Sequence, residues 1–492
     1  MPSDPPSAPP SDMPSDPPPD APAHLSPAAA HLSPAARRDR AVRAAVEQGL
    51  VGDAAPVVAL LDVAGIRASA AALHAAFAEV TAPGTPVLHA FAVKAAPLVP
   101  VLRLLAAEGI GAEVASPGEL ALARAAGVRA DRTVLDSPAK TAAELRDAFT
   151  LGIAVNADNP QELARIDALV GSATRAAGRA APDPGAPATA VSPVPPCGVR
   201  VNPQLGAGSI GALSTATATS KFGVALRDEG ARAWVVQAYL DRPWLTRLHT
   251  HSGSQGVPLV LMAQGVRSLY ELAEEINAAA GRRQIDTLDI GGGLPVNFAG
   301  DEETPTYATY ARLLKDTVPG LLDGRYGLVT EFGRSLLAKH GTVLARVEYA
   351  KSAGGRPIAV THAGAQVATR TVYAPASWPL RIAAYDAAGR PRTGPAVAQD
   401  IAGPACFAGD LLAENRPMPL LEQGDLVAAL DTGAYFFTAH YSYNSLARPG
   451  IHGFVVKAGT GGEVRFATVR EQQTTDGIVA ESGGAYADAL LD

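Results

Sequence analysis

The chain has 492 residues and a formal charge of -7, a length that supports a large core with a smaller companion. No basic run supplies the footprint of a nucleic-acid binder, and no apolar stretch reaches the roughly 18 residues of a membrane span. Two cysteines, Cys197 and Cys406, are too few for a disulfide framework or a cysteine-rich metal site, so small-molecule chemistry in a reducing cytoplasm is the expectation.

Residues 1–36 are rich in Pro, Ser, Ala and Asp. Such a composition buries too little apolar surface to offset ordering entropy, so a disordered tail is expected. Its start has neither the basic end nor the apolar centre of a secretory signal. PVVALLDV at 56–63 reads as a strand. Residues 37–63 are grouped with a later β domain, although pairing of this strand into the domain that follows it is also open.

From residue 64 to 340 short β-prone runs alternate with amphipathic helical ones, the pattern of parallel βα units. The strand candidates are VLHAFAV (87–93), IGAEVAS (110–116), TVLD (133–136), IAVN (153–156), GVRVN (198–202), TRLHTH (246–251), DTLDIGG (286–292) and LVTEF (328–332). Eight of them fit an α/β fold of the (β/α)8 TIM-barrel type. A Pro-rich stretch within about 171–196 is expected to be a flexible surface insert. After 341 the helical patterns fade, and TVLARVEYA, PIAVTHA, PLRIAAY, DLVAAL, YFFTAHY and VRFATV predict a C-terminal antiparallel β domain reaching residue 492.

Lys94, Ser116, Asp136, Asn156, Asn202, His251, Gly291 and Glu331 all fall at the C-terminal ends of predicted barrel strands, the face on which barrels build active sites. Asp136, Asn156 and Asn202 read equally as turn or cap residues. Lysine is scarce in the chain, and Lys94 ends an apolar strand. Partial desolvation there lowers an amine's pKa and suits Schiff-base chemistry with a carbonyl; the plain alternative is a lysine that closes a strand and reaches water. Gly291, Gly292 and Gly293 follow the seventh strand, where backbone amides free of side chains can approach a phosphate. In HTHSGSQ (249–255) the His251 ring can stack on an aromatic cofactor and the Ser254 hydroxyl can contact phosphate. His249 and His251 also read as metal ligands, but no acidic or cysteine partner clusters beside them in sequence, and no metal is expected. Glu331 suits a protonated pyridine nitrogen and Arg334 a phosphate or substrate carboxylate; the two alternatively form a solvated ion pair.

Over roughly 55–455 the chain resembles pyridoxal-phosphate-dependent decarboxylases with an alanine-racemase-like barrel, nearest to diaminopimelate decarboxylase and more distantly to ornithine decarboxylase. The resemblance rests on motifs in order: FAVK ending at Lys94, EVASPGEL (113–120), SKFGV (220–224), HTHSGSQ, DIGGGL (289–294), EFGR (331–334), GPACFAGD (403–410) and GAYFFTAHYSYNS (433–445). It implies pyridoxal 5'-phosphate bound covalently to Lys94, stacked on His251, with its phosphate held by Ser254 and the Gly291–Gly293 loop and its pyridinium nitrogen paired with Glu331. It further implies that Arg334 and Tyr435 contact cofactor and substrate. In a homodimer Cys406 would reach the partner's active site and help protonate the product. Arg370, Tyr373 and Asp410 are carried over as substrate-binding residues, the first two at an unusual spacing.

Two positions depart from the family. Phe332 stands where Pro is usual, a change expected to affect loop stiffness alone. Phe407 stands where an acidic residue is expected, which removes the partner of a substrate's distal ammonium and argues against diaminopimelate itself. The expected activity is loss of CO2 from an amino acid whose amine displaces Lys94. A racemase or epimerase on the same barrel and a non-catalytic cofactor-binding relative are the alternatives.

Overall fold

The computed structural model describes residues 32–179, 194–211, 214–457 and 462–491. Ser33 caps a helix, Pro34–Glu47, whose first position is proline, so the end of the expected tail is helical; residues 1–31 lie outside the described residues. Strand β1 (Val57–Asp62) follows, buried along its whole length.

The barrel strands are β2 (Val87–Ala92), β3 (Gly111–Val114), β4 (Thr133–Leu135), β5 (Ala154–Ala157), β6 (Cys197–Asn202), β8 (Leu245–His249), β9 (Thr287–Asp289) and β10 (Gly327–Thr330), with a two-residue β7 (Val224–Ala225) beside β6. Each pairs in parallel with the next, β5 with β6, β6 with β8, and β10 with β2, so the sheet closes. Their near-continuous burial follows from closure, because packed side chains fill one face and helices cover the other. The helices carry the expected stop and start signals. Thr141 and Glu144 form a capping box before Ala142–Leu151, which ends at left-handed Gly152.

The insert proves shorter than 171–196, because the helix Pro160–Arg179 runs on through its first part and residues 194–196 lead directly into β6. Residues 180–193 lie outside the described residues.

A second sheet holds β11 (Gly341–Ala353), β12 (Arg356–Thr361), β13 (Ile382–Tyr385), β14 (Ala396–Ala402), β15 (Leu411–Pro419), β16 (Leu426–Leu430), β17 (Gly450–Val456) and β18 (Val464–Arg470). β1 joins this sheet, antiparallel to β11 and parallel to β17, and not the barrel. Most pairings are antiparallel, but β1 with β17 and β12 with β14 run parallel, so the sheet is mixed. YFFTAHY is no strand. Tyr435 has φ +65°, its N–H donates to the Ala95 carbonyl, and Phe436 and Phe437 are buried. The segment packs as a loop onto the barrel mouth, where aromatic burial outweighs β-propensity.

Charges fasten the two parts together. Arg381 grips buried Asp431 with two hydrogen bonds of 2.8 and 2.9 Å and reaches Asp301 on a barrel loop at 2.6 Å. Lys339 donates to the carbonyls of Asn297 and Gly300 and lies 3.2 Å from Asp431. Among the described residues no helix is long and apolar enough to cross a membrane.

Phe332 does more than alter loop stiffness. Its ring is 1% exposed and packs against Phe77, Tyr307 and Tyr310 at centroid distances of 6.3, 5.3 and 6.2 Å. It fills space between the barrel and its outer helices. Phe332→Ala is expected to cost about 3–5 kcal/mol through lost burial and the cavity left behind. Phe332→Pro also discards the ring and should lower the denaturation midpoint, read by urea unfolding.

Candidate active site

The C-terminal ends of the barrel strands converge on a ring of buried charges. Lys94 sits in a short 3-10 turn (Val93–Ala95) directly after β2. Its ammonium donates to Glu113, which projects from β3. The Lys94 side chain is 42% exposed and that of Glu113 is 1% exposed, so the amine stands at an opening above a buried carboxylate. Burial opposes the ammonium, but the carboxylate of Glu113, with Tyr435 and Glu331 beyond it, raises the Lys94 pKa. The direction is opposite to that expected from desolvation alone, because the strand end supplies a counter-charge. Burial in turn pushes the Glu113 carboxyl above its usual range.

Beneath this pair lies a second network. Asp136, just after β4, accepts from Arg200 of β6 at 2.9 Å and lies 3.0 Å from His249 Nε2. The other nitrogen of His249 lies 3.2 Å from Asp289, whose carboxylate also accepts from Asn156 at 3.3 Å and from the Gly291 amide at 3.1 Å. Asp136 is thus an ion-pair hub and no turn residue. Asn202 does serve locally, bonding Gln204 N and the Thr217 carbonyl, and Ser116 caps the helix Pro117–Ala125. Burial works against an imidazolium at His249, yet Asp136, Asp289 and Glu331 raise its pKa well above 6.5. Burial likewise opposes ionisation of Asp136, but Arg200 and His249 hold it well below 3.8.

His251 behaves differently from its neighbour. Its Nδ1 accepts from the Gly292 amide at 3.3 Å and lies 3.4 Å from Glu331. Burial and the positive charges of Arg200 and Lys94 push its pKa well down, so the ring is neutral. Glu331 is 2% exposed; burial, then the negative charge of Asp289, push its pKa well up. One of its oxygens, Oε1, has no hydrogen-bond partner. Glu331 borders both histidines: it lies 3.4 Å from His251, and its carboxylate, that of Asp136 and the His249 ring are buried with their donor atoms within 4.8 Å of one another, so the acidic neighbours not visible beside His249 in sequence are present in space.

The glycine triplet is dictated by loop packing. A Cβ on Gly292 would stand 1.9 Å from the Glu331 carbonyl oxygen, and one on Gly293, at φ +89°, would stand 2.1 Å from Gly253. The Gly291 and Gly292 amides are already donated to Asp289 and His251. The Gly293 amide, which has no acceptor among the described residues, and the half-buried Ser254 hydroxyl are the groups left for an anion.

Arg334 opens the short helix Arg334–Leu337 and is 8% exposed. Its guanidinium lies 4.6 Å from the Tyr435 ring and 5.0 Å from the Trp378 ring. Arg370 contacts the same two rings at 4.9 and 5.1 Å. Each arginine has a buried Nη1 without a partner. Burial and the neighbouring Arg370 push the Arg334 pKa down to about 10. Tyr435, strained in the left-handed region, is thereby held between two cations and the Lys94 turn.

Cys406, Phe407 and Tyr373 lie apart from this cluster. Cys406 is exposed, and its amide donates to Asn444 at 2.7 Å. Phe407 stacks on Tyr373 at 5.6 Å and meets Tyr443 edge-on at 5.7 Å, while Tyr373 and Tyr443 remain 57% and 39% exposed. Asp410 does not face a substrate. Its buried carboxylate accepts from the amides of Ala365 and Ala405, both at 2.6 Å, and closes a turn. Sequence reading assigned no role to Glu113, Arg200, Asp289 or Trp378. For the first three the available signal was an ionisable residue in an otherwise apolar strand; for Trp378 there was none.

The family described as "Pyridoxal-dependent decarboxylase, pyridoxal binding domain" matches residues 64–338. Diaminopimelate decarboxylase of Pseudomonas aeruginosa is 33% identical over 385 residues, covering 78% of this chain and 84% of that protein. The Aquifex aeolicus enzyme of the same name is 28% identical over 382 residues, 77% of this chain and 82% of that one. Among solved structures, Helicobacter pylori diaminopimelate decarboxylase complexed with L-lysine aligns with a TM-score of 0.71 at 22% identity, over 89% of this chain and 99% of that chain.

Removing His249 would take a buried partner from both Asp136 and Asp289, leaving Arg200 on the first and the Asn156 and Gly291 donors on the second. His249→Gln is expected to destabilise the protein by about 3–5 kcal/mol. A group whose pKa is raised on folding stabilises fully below its unfolded value and ceases to do so above its folded one. The difference between wild type and variant should therefore be full from about pH 4, where Asp136 is ionised, to about pH 6.5, and shrink at higher pH. Thermal unfolding across pH measures it.

Proposed function

Because the chain belongs to the pyridoxal-dependent decarboxylase family, and is a carboxy-lyase that uses pyridoxal 5'-phosphate, we propose that Lys94 is its attachment point and that the substrate is an amino acid other than diaminopimelate. The observation that carries the reading is the Lys94 amine, open to the barrel mouth and hydrogen-bonded to buried Glu113.

The residues fit the cofactor. Glu331 Oε1 is buried and partnerless, which suits a protonated ring nitrogen, and a positive charge there returns the carboxyl to its ionised form. The Gly293 amide, Ser254 and Arg334 suit the phosphate. Once bound, pyridoxal phosphate supplies a conjugated electron sink for the bond that breaks.

With the cofactor bound, Glu113 Oε2 would hold the proton of Lys94 Nζ and leave the amine lone pair free. The neutral His251 ring offers a flat face without competing charge. Arg334 and Arg370, fixed by Trp378 and Tyr435, orient substrate carboxylates. How these side chains orient the substrate would decide which bond breaks: an α-carboxylate held for cleavage would leave as CO2, whereas an α-hydrogen so held would give racemisation.

We assign Cys406 to the active site of a second copy. The thiol makes no bond to its own Lys94 cluster among the described residues, and the next residue, Phe407, packs on the exposed rings of Tyr373 and Tyr443. Phe407 enters that site with it, where a distal ammonium left without an acidic partner would cost about 3–5 kcal/mol. Cys197 and Cys406 are both free thiols, which suits a reducing cytoplasm.

Borohydride reduction followed by peptide mass analysis should place a pyridoxyl group on Lys94; its absence there ends the proposal. Lys94→Ala and Cys406→Ala should each abolish CO2 release. If the site is shared, mixing the two inactive variants under exchange conditions should restore roughly a quarter of the activity, because half the dimers are mixed and each has one intact site. No recovery would show that each chain uses its own thiol. Solvent deuterium uptake without CO2 release would point to a racemase.

A further inference from the structure

Deepening that decarboxylase reading, we infer that the substrate is an α-amino acid whose far end carries a carboxylate and no free ammonium, the distal amine being absent or acylated. The basis is the Arg334–Tyr435–Trp378–Arg370 cluster. Two like charges share the same pair of rings, and each has an Nη1 buried without a partner. Buried cations left unpaired are unfavourable and await an anion. Among the described residues no carboxylate forms an ion pair with either guanidinium; burial and Tyr435 act on both, and Arg370 also acts on Arg334. If Arg334 is committed to the cofactor phosphate, Arg370 remains.

An ammonium at the same end would need an acid, and the buried acids nearby are occupied. Glu113 holds Lys94, Asp136 holds Arg200 and His249, and Asp289 holds His249. Glu331 lies against His251, and Asp410 is spent on two backbone amides. The loop that carries Cys406 brings no other acid, since residues 403–409 read GPACFAG. It brings instead the ring of Phe407, stacked on Tyr373. In the shared site proposed above, where this loop comes from the second copy, the far end of the pocket combines cationic forks with aromatic surface. Guanidinium forks match planar carboxylates, and aromatic rings tolerate an acyl amide better than a bare ammonium.

The test uses cofactor-loaded full-length protein and four amino acids: 2-aminopimelate, diaminopimelate acetylated on its distal amine, meso-diaminopimelate and L-lysine. Binding is read from the change in the visible cofactor spectrum, and turnover from CO2 release. The first two should bind at least about 10-fold more tightly than the last two. Arg370→Gln should raise KM for 2-aminopimelate by about 10- to 100-fold with a much smaller change in kcat. Phe407→Glu should shift preference toward meso-diaminopimelate by about 10-fold or more. Equal or tighter binding of meso-diaminopimelate by the wild type, or no response of the cofactor spectrum to any of the four, overturns the inference. Spectral binding of the first two without CO2 release would instead refute the decarboxylase reading and leave the substrate class standing.

Discussion

The contact between Lys94 and Glu113 is the constraint around which the barrel mouth is arranged. The Lys94 ammonium is held by a carboxylate that is itself out of water, so its proton sits against an acceptor. Keeping such a pair in an apolar barrel requires every neighbouring charge to be balanced. Asp136 and Asp289 flank His249, and Arg200 completes the set. The ring of charges beneath the amine is the cost of chemistry at the centre of a closed sheet, since each member unpaired would be several times more destabilising than a surface ion pair.

His249 and His251 show how position decides the state of one residue type. Two residues apart in a single segment, one lies between two carboxylates and is driven toward the imidazolium, and the other lies near cations and is driven toward the neutral ring. The charged one holds the network together. The neutral one leaves a flat uncharged face at the site.

The second sheet contributes more than support. Its connecting loops deliver Tyr435 and Trp378 to the barrel mouth, where the rings keep two arginines side by side. β1, drawn from ahead of the barrel in sequence, lies between β11 and β17 and ties the chain's early and late segments into one sheet. The strained backbone at Tyr435 is held by the Ala95 carbonyl next to Lys94, so the loop and the Lys94 turn are placed by the same bond.

Alternation of short apolar runs with amphipathic helices determined the barrel, because the period of burial in strands and helices is a local property of sequence. The strand ends followed, and with them the placement of Lys94, His251, the glycine triplet and Glu331 at one rim. What tertiary structure alone decided are the pairings across the barrel. Glu113 meets Lys94 only when β2 pairs with β3, and the partners of Asp136, Arg200 and His249, lie far along the chain on β6 and β8 and meet it only in the assembled sheet. The stacking of Arg334 and Arg370 on shared rings, the internal use of Asp410 and the burial of Phe332 have the same origin. Electrostatic state and side-chain contact depend on distance in space, and a sequence records only distance along the chain.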